Sequence, residues 1–261
     1  MSQLKRAENT TQPRRSILSD ETHLMIRAMI FSHEIVPGGR VNIDALALQL
    51  GVSQTPVREA LARLESEGLI AKEPLKGYRA TNLLTIKEFA DLFNFRLLIE
   101  PYAAEQAALL IDSNGIKELQ SEILTAKQAL KLNDGRVIEA ITEHDARFHA
   151  LIAKYSNNKI LASSFASTHC HLHLFRLYVA GQKHLIEPGD KTIFIQDLFS
   201  RYYQSDRGQL AIKQHMAISK AISSHNPKQA KAEMYSHIES SLKRFIPYLH
   251  QVQSDGKAGK K

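Results

Sequence analysis

The chain has 261 residues, 43% hydrophobic and 23% charged, with 12 Gly and 8 Pro: enough apolar material for one large or two small domains, and too few turn formers for a β-rich or collagen-like chain. A formal net charge of +7 and a pI near 9.4 suit an anionic partner, yet residues 1–80 hold 11 Lys or Arg against 9 Asp or Glu, so charge does not locate the surface. The single cysteine, Cys170, excludes an intramolecular disulfide and fits the cytoplasm, and the lack of a long apolar run or an apolar leader argues against membrane insertion and export.

Residues 1–18 are polar, with Pro13 followed by Arg14 and Arg15, and read as a flexible basic arm. A helix is predicted from Ser19 or Asp20, which are capping types, with Leu24, Ile26, Ile30 and Phe31 on its apolar side and Pro37-Gly38-Gly39 as its break. A short second helix follows, capped by Asp44, apolar at Leu46, Ala47 and Leu50, and closed by Gly51. A third starts at Ser53 or Thr55, tolerates Pro56 in its first turn, aligns Val57, Ala60, Leu61 and Leu64, and ends at Gly68. Leu69-Ile70 and Gly77-Tyr78, on either side of Pro74 and Lys76, fit a two-stranded ribbon.

Three helices and a ribbon over residues 19–82 make a winged helix-turn-helix. The tight Gly51-Val52-Ser53 connection lets the later helix project while the earlier one braces it, and Gln54, Thr55 and Arg58 fall in the turns that touch bases and phosphates. Spacing alone also allows an ordinary helical hairpin with a solvated polar face. Residues 83–251 are helical throughout, with breaks near Asn114-Gly115, Asp134-Gly135, Asn157-Asn158, Pro188-Gly189 and Asn226-Pro227, giving six or seven helices. Residues 252–261 form a polar tail read as disordered, and the fold class is mainly α.

In the predicted helix over about 135–156, Ile138, Ile141, Asp145, Phe148, His149 and Ile152 share one stripe. Asp145 and His149 then point inward one turn apart, where an uncompensated charge costs several kcal/mol. A divalent cation compensates both; hydrogen bonding within the core is the alternative. His215 lies beside Ile212, Ile218 and Ile222, and His237 follows Ala230 and Met234 at helical spacing. His169 and His173, flanking Cys170 to Leu172, are either rival ligands or part of a His-rich helix surface.

The segment VSQTPVREALARLESEGLI, preceded by PGGRV and followed by KGYRAT, resembles the winged-helix domain of GntR-family transcription regulators over residues 20–81. The resemblance implies that Arg40, Ser53, Thr55, Arg58 and Gly77 contact double-stranded operator DNA; Gln54 stands where the family usually has Arg and suggests an altered operator, while Lys76 on the ribbon either reaches the DNA as well or belongs to a solvated basic turn. The later segments FRLLIEPYAAEQAA, DARFHALIAKYSNNKIL, QHMAISKAI and AKAEMYSHIESS resemble the helical effector domain, called FCD, of the FadR-type branch.

That second likeness implies a metal held by Asp145, His149, His215 and His237, with Zn the first expectation and Ni or Mn the alternatives. It also implies a small carboxylate effector completing the coordination, and Arg96 facing the effector. Arg96 pairing with Glu100 along its own helix is the competing expectation. Departures are Lys159 after Asn158 where Pro is common, Gln214 where Glu is usual, and about two dozen extra residues between His149 and His215. The expected function is a homodimeric, cytoplasmic, ligand-responsive regulator, a repressor relieved by a small organic acid. The alternatives are a metal-dependent enzyme, disfavoured by four protein ligands without an evident general base, and a direct metal sensor.

Overall fold

A computed structural model describes residues 11–132, 136–182 and 208–243. The chain divides into two compact units that part between Leu83 and Leu84.

The first unit runs α1 (Thr11–Phe31), β1 (Arg40–Val41), α2 (Ile43–Leu50), α3 (Gln54–Ser66), β2 (Ile70–Glu73) and β3 (Gly77–Ala80). Its core is the apolar stripe of α3, with Val57, Ala60, Leu61 and Leu64 all at 0% exposure, packed against Ile26 and Ile30 of α1 and closed by Leu69, Ile70 and Ala80. His23 Nε2, in α1, meets Glu67 Oε1 just after α3 at 2.7 Å. Gly51 closes α2 with φ at 67°, a left-handed turn that glycine adopts without a Cβ clash and that turns the chain within three residues into α3.

Three expectations change here. The helix placed at Ser19 or Asp20 begins at Thr11 and takes in residues of the expected arm; Pro13 falls in its first turn, where a missing N–H costs little. The cap of α2 is Asn42, whose side-chain oxygen accepts from the Asp44 and Ala45 amides at 2.9 and 3.1 Å; Asp44 lies inside the first turn. The ribbon has a third strand: the order is β1-β3-β2, all antiparallel, with Arg40 opposite Arg79 and Lys72 opposite Tyr78. A two-residue strand carries no alternation for sequence reading to detect. Residues 1–10 and the tail after 243 lie outside the described residues.

The second unit contains α4 (Ile86–Leu110), α5 (Ser113–Ala129), α6 (Arg136–Tyr155), α7 (Lys159–Ser167), α8 (Cys170–Gln182), α9 (Gln209–Ser223) and α10 (Pro227–Lys243). Local chemistry sets the starts: Thr85 and Glu88 form a reciprocal capping box on α4, Asp112 accepts from Gly115 N at 2.8 Å on α5, and Asn158 caps α7. The core gathers Phe148 and Ile152 from α6, Ala104 and Ala107 from α4, Leu119 from α5, Ile218 and Ile222 from α9, and Ala230, Met234 and Ile238 from α10, each nearly or fully buried. Helices α4, α5, α6, α9 and α10 therefore enclose one interior, and their polar side chains that point inward are the ones needing an explanation. Among the described residues, no helix is long and apolar enough to cross a membrane.

Candidate metal centre and nucleic-acid interface

Asp145, His149, His215 and His237 come from three helices, α6, α9 and α10, and their ligand atoms all lie within 4.8 Å of one another. His215 Nε2 is 3.2 Å from Asp145 Oδ1 and 3.2 Å from His237 Nε2, while His149 Nε2 is 3.7 Å from the same carboxylate oxygen. The three imidazoles are at most 4% exposed and Asp145 is 21% exposed. Phe148 stacks on the His215 ring at 4.2 Å and 16°, fixing that ring from the core side.

Each imidazole has its outer nitrogen committed. Glu100 of α4 accepts from His149 Nδ1–H. Gln214 donates its amide to Ser240 Oγ at 3.0 Å, and Ser240 donates to the His237 carbonyl at 2.9 Å; the Gln214 carbonyl oxygen is thereby the atom facing His237 Nδ1, at 2.9 Å, and accepts its proton. Glu122 of α5 accepts from His144 Nδ1–H at 2.9 Å, so His144 Nε2 is an acceptor and takes the proton of His215 Nδ1, again at 2.9 Å. Every Nδ1 is a donor, which leaves three bare Nε2 lone pairs and one carboxylate oxygen facing a common point.

The protonation states match. Burial lowers His149 to about 4 despite the Glu100 carboxylate, and burial followed by the neighbouring His215 holds His237 well below the ordinary histidine range. Asp145 is held well below the usual carboxylate range against its burial, chiefly by His171. Neutral imidazoles and an ionised carboxylate are the forms a cation binds. Two donors on one ion at about 2.1 Å and a tetrahedral angle stand about 3.4 Å apart, close to the spacings seen. The residues therefore fit a divalent cation.

Arg96 and Glu100, both 3% exposed, form an ion pair beside this point, realising the within-helix alternative for Arg96. Arg96 Nη2 also lies 3.4 Å from the His149 ring nitrogens and Nη1 lies 3.4 Å from Cys170 Sγ, whose thiol burial pushes up to about 12. His169 and His173 do not belong to the convergent group. The histidine between them, His171, is the one that turns inward, its Nε2 2.7 Å from Asp145 Oδ2. Glu100, Glu122, His144, Gln214 and His171 were not singled out in the sequence as site residues; each acts across a helix–helix packing, and only the convergence of the helices reveals it. The stretch 183–207 within the extra residues lies outside the described residues.

In the first unit, Ser53 is the N-cap residue of α3 and, with Gln54, Thr55 and Arg58, is exposed, as are Arg40 on β1 and Lys76 in the turn before β3. Gly77 opens β3 at φ 90° with no atom within 4 Å of where a Cβ would stand, so backbone strain rather than crowding favours glycine. Gln54 donates to Asp44 Oδ1 and accepts from Arg58 Nη2 at 3.2 Å, so a two-point contact to adenine would require it to exchange these partners.

Two family profiles match: "Bacterial regulatory proteins, gntR family" over residues 18–79 and "FCD domain" over residues 91–240. The chain is a GntR-family transcription regulator with an FCD domain. Similar to it are the HTH-type transcriptional regulator YdhC of Bacillus subtilis (strain 168), 23% identical over 89% of this chain and 91% of that protein, and the putative L-lactate dehydrogenase operon regulatory protein of Escherichia coli (strain K12), 27% identical over 89% and 88%. The solved structure of E. coli McbR/YncC covers 90% of this chain and 98% of that one with a TM-score of 0.57 at 19% identity, a likeness of fold. This GntR regulator is a DNA-binding protein and not an enzyme. Its Gln214, where Glu is usual, still supplies a carbonyl oxygen to His237, so that departure preserves the imidazole's orientation.

Proposed function

We propose that this regulator is a homodimeric, cytoplasmic repressor whose helical unit, residues 83–251, binds a divalent cation through Asp145, His149, His215 and His237. A small carboxylate effector would complete the coordination and release the operator. The observation that carries the reading is the convergence of three bare imidazole Nε2 atoms on Asp145 Oδ1, each imidazole anchored from behind by its own partner. Three neutral donors and one carboxylate leave a bound divalent ion with net positive charge, which favours an anionic ligand. Arg96 would border that ligand while shared with Glu100. A relative named for an L-lactate dehydrogenase operon supports an organic acid as the signal. The nitrogen-rich donor set places Zn first, with Ni or Mn as alternatives.

On the DNA side, Arg40, Ser53, Gln54, Thr55, Arg58, Lys76 and Gly77 of residues 19–82 are the proposed contacts to a pseudo-palindromic operator. Because half-sites recur at about 34 Å, a shift of a few ångströms between the two copies of α3 is enough to weaken binding. Effector and DNA affinities are then reciprocally coupled.

Elemental analysis tests the centre: native protein purified without chelators is expected to carry close to one ion per chain and His149→Ala far less. A native chain without metal rules the centre out. Screening small organic acids for a rise in melting temperature, followed by operator release, tests the signal; release by the ion alone would make the metal itself the signal. Arg58→Ala is expected to weaken operator binding and to reduce the slope of log K against log salt by about 1, the signature of one lost phosphate contact. Titrations at several salt concentrations check it, and an unchanged slope removes Arg58 from the interface.

A further inference from the structure

Asp44 stands in the first turn of α2, its backbone amide donating to Asn42 Oδ1 at 2.9 Å, and its side chain is exposed. The turn through Gly51 is pinned by Val52 N donating to the Ala47 carbonyl at 3.0 Å, which keeps the starts of α2 and α3 within side-chain reach. Across that gap Gln54 Nε2 donates to Asp44 Oδ1, and Gln54 Oε1 accepts from Arg58 Nη2 at 3.2 Å. A carboxylate, an amide and a guanidinium thus run in one exposed chain over the surface that would meet the operator.

The carboxylate is the odd member. Arg40, Arg58 and Lys76 are drawn to phosphates, whereas a negative charge is repelled by them. Most base edges give it nothing either: guanine shows two acceptors, thymine an acceptor and a methyl group, and only the exocyclic amines of cytosine and adenine donate into the major groove. A carboxylate that gives up its water and its amide partner at the interface without gaining a donor costs affinity. When Gln54 turns its amide to an adenine, it takes that N–H from Asp44. The vacated oxygen then needs a donor close by, and because the two side chains are in direct contact while successive base pairs are about 3.4 Å apart, the adjoining base pair is the one within reach.

We propose that Asp44 is a specificity-determining residue of operator recognition: as Gln54 turns to an adenine, Asp44 accepts from the exocyclic amine of a cytosine or adenine at the adjoining base pair. This rests on the DNA-contact reading above. One exchange of partners then depends on two base features, and a duplex offering only one of them leaves the amide or the carboxylate unmatched. Asp44 adds discrimination at the expense of affinity. Its charge also lies at the start of α2, where it favours the helix, but that role acts on stability and not on bases.

The probe is duplex DNA selected by full-length native protein from a pool of random sequence. Base analogues then delete one amine at a time, purine replacing adenine and 2-pyrimidinone replacing cytosine, and affinities are measured at one salt concentration for native protein, Gln54→Ala and Asp44→Ala. At one position per half-site, loss of the amine is expected to weaken native binding by about 5- to 150-fold, the range for one mismatched base pair. The same deletion should change the affinity of Asp44→Ala by no more than about 2-fold, the scatter of independent effects. The position at which Gln54→Ala loses its preference should adjoin this one. Asp44→Ala should also bind unrelated duplex more tightly than native protein does, since a charge repelled by phosphates is gone.

If Asp44→Ala tightens binding to all duplexes alike and keeps every amine penalty of the native chain, the carboxylate only repels, which overturns the proposal and leaves the DNA reading intact. A lowered melting temperature with native amine penalties overturns it too, by confining Asp44 to the helix start. So does an Asp44-dependent amine several base pairs from the Gln54-dependent adenine. Native protein that enriches no sequence from the pool overturns both.

Discussion

Replacing Glu100 by Ala is expected to destabilise the helical unit by about 3–5 kcal/mol, the cost of removing one member of a buried ion pair. Arg96 and Glu100 are each 3% exposed. Glu100 Oε1 takes the Arg96 Nε–H, while Oε2 takes the His149 Nδ1–H and lies 3.5 Å from Arg96 Nη2. Alanine takes from the buried guanidinium its ion-pair partner, leaving it the Cys170 thiol, the His149 ring, the Phe93 face and the charge of Asp145, and it frees His149 to rotate away from the cation point. With about 2–4 °C per kcal/mol for a domain of this size, the melting temperature should fall by roughly 6–20 °C. The pH dependence has a definite sign. Burial alone would raise Glu100, but Arg96 and His149 hold it well below the ordinary carboxylate range. A depressed carboxyl contributes stability above its unfolded pKa, about 4.3, and loses it as pH falls through lower values, so native and variant should converge in acid. Urea unfolding at pH 7 and at pH 3 checks both parts. A loss under about 1 kcal/mol at pH 7 would mean that the pair is effectively solvated.

The Glu100 contacts also show which parts of the centre were legible in the sequence. Asp145 and His149 share a stripe with Ile141 and Ile152 on one helix, so periodicity places them inward without knowing what they meet; His215 among Ile212, Ile218 and Ile222 is readable in the same way. The Arg96–Glu100 pair was readable as an i,i+4 spacing, though not its burial or its reach to His149. Contacts between helices were not readable. Glu122 is one polar residue among many on α5 until α6 brings His144 against it, and His144, three residues after Ile141 and four before Phe148 and 1% exposed, has a spacing that points it inward without naming Glu122 or His215 as its partners. In HCHLH the alternation offers every histidine equally, and only the docking of α8 on α6 selects His171 over His169 and His173. In the first unit Gly51 marked its turn because only a left-handed residue closes α2 there, whereas β1 is too short to leave a pattern.

Stripping the cation is expected to cost the helical unit about 2.7 kcal/mol relative to protein at a free ion concentration of 100 times the dissociation constant, and about 4.1 kcal/mol at 1,000 times. The origin of that sensitivity is the pair of Nε2 atoms of His215 and His237, 3.2 Å apart with no proton to share once Gln214 and His144 have fixed both Nδ1 hydrogens outward. Lone pairs so placed repel each other and the Asp145 carboxylate beside them, and a cation converts the repulsion into three attractions. Melting curves with chelator and with added ion should therefore separate by roughly 5–16 °C in native protein and coincide in His149→Ala, which has lost a donor. Arg58→Ala, altered only in the first unit, should behave as native in this measurement and differ from it in DNA binding. If chelation lowers the melting temperature yet leaves the operator's response to an organic acid unchanged, the ion is a structural brace. If it abolishes the response as well, the ion is the anchor of the signal, because an acid held by the cation has no differential affinity for the two packings of the helices once the cation is gone.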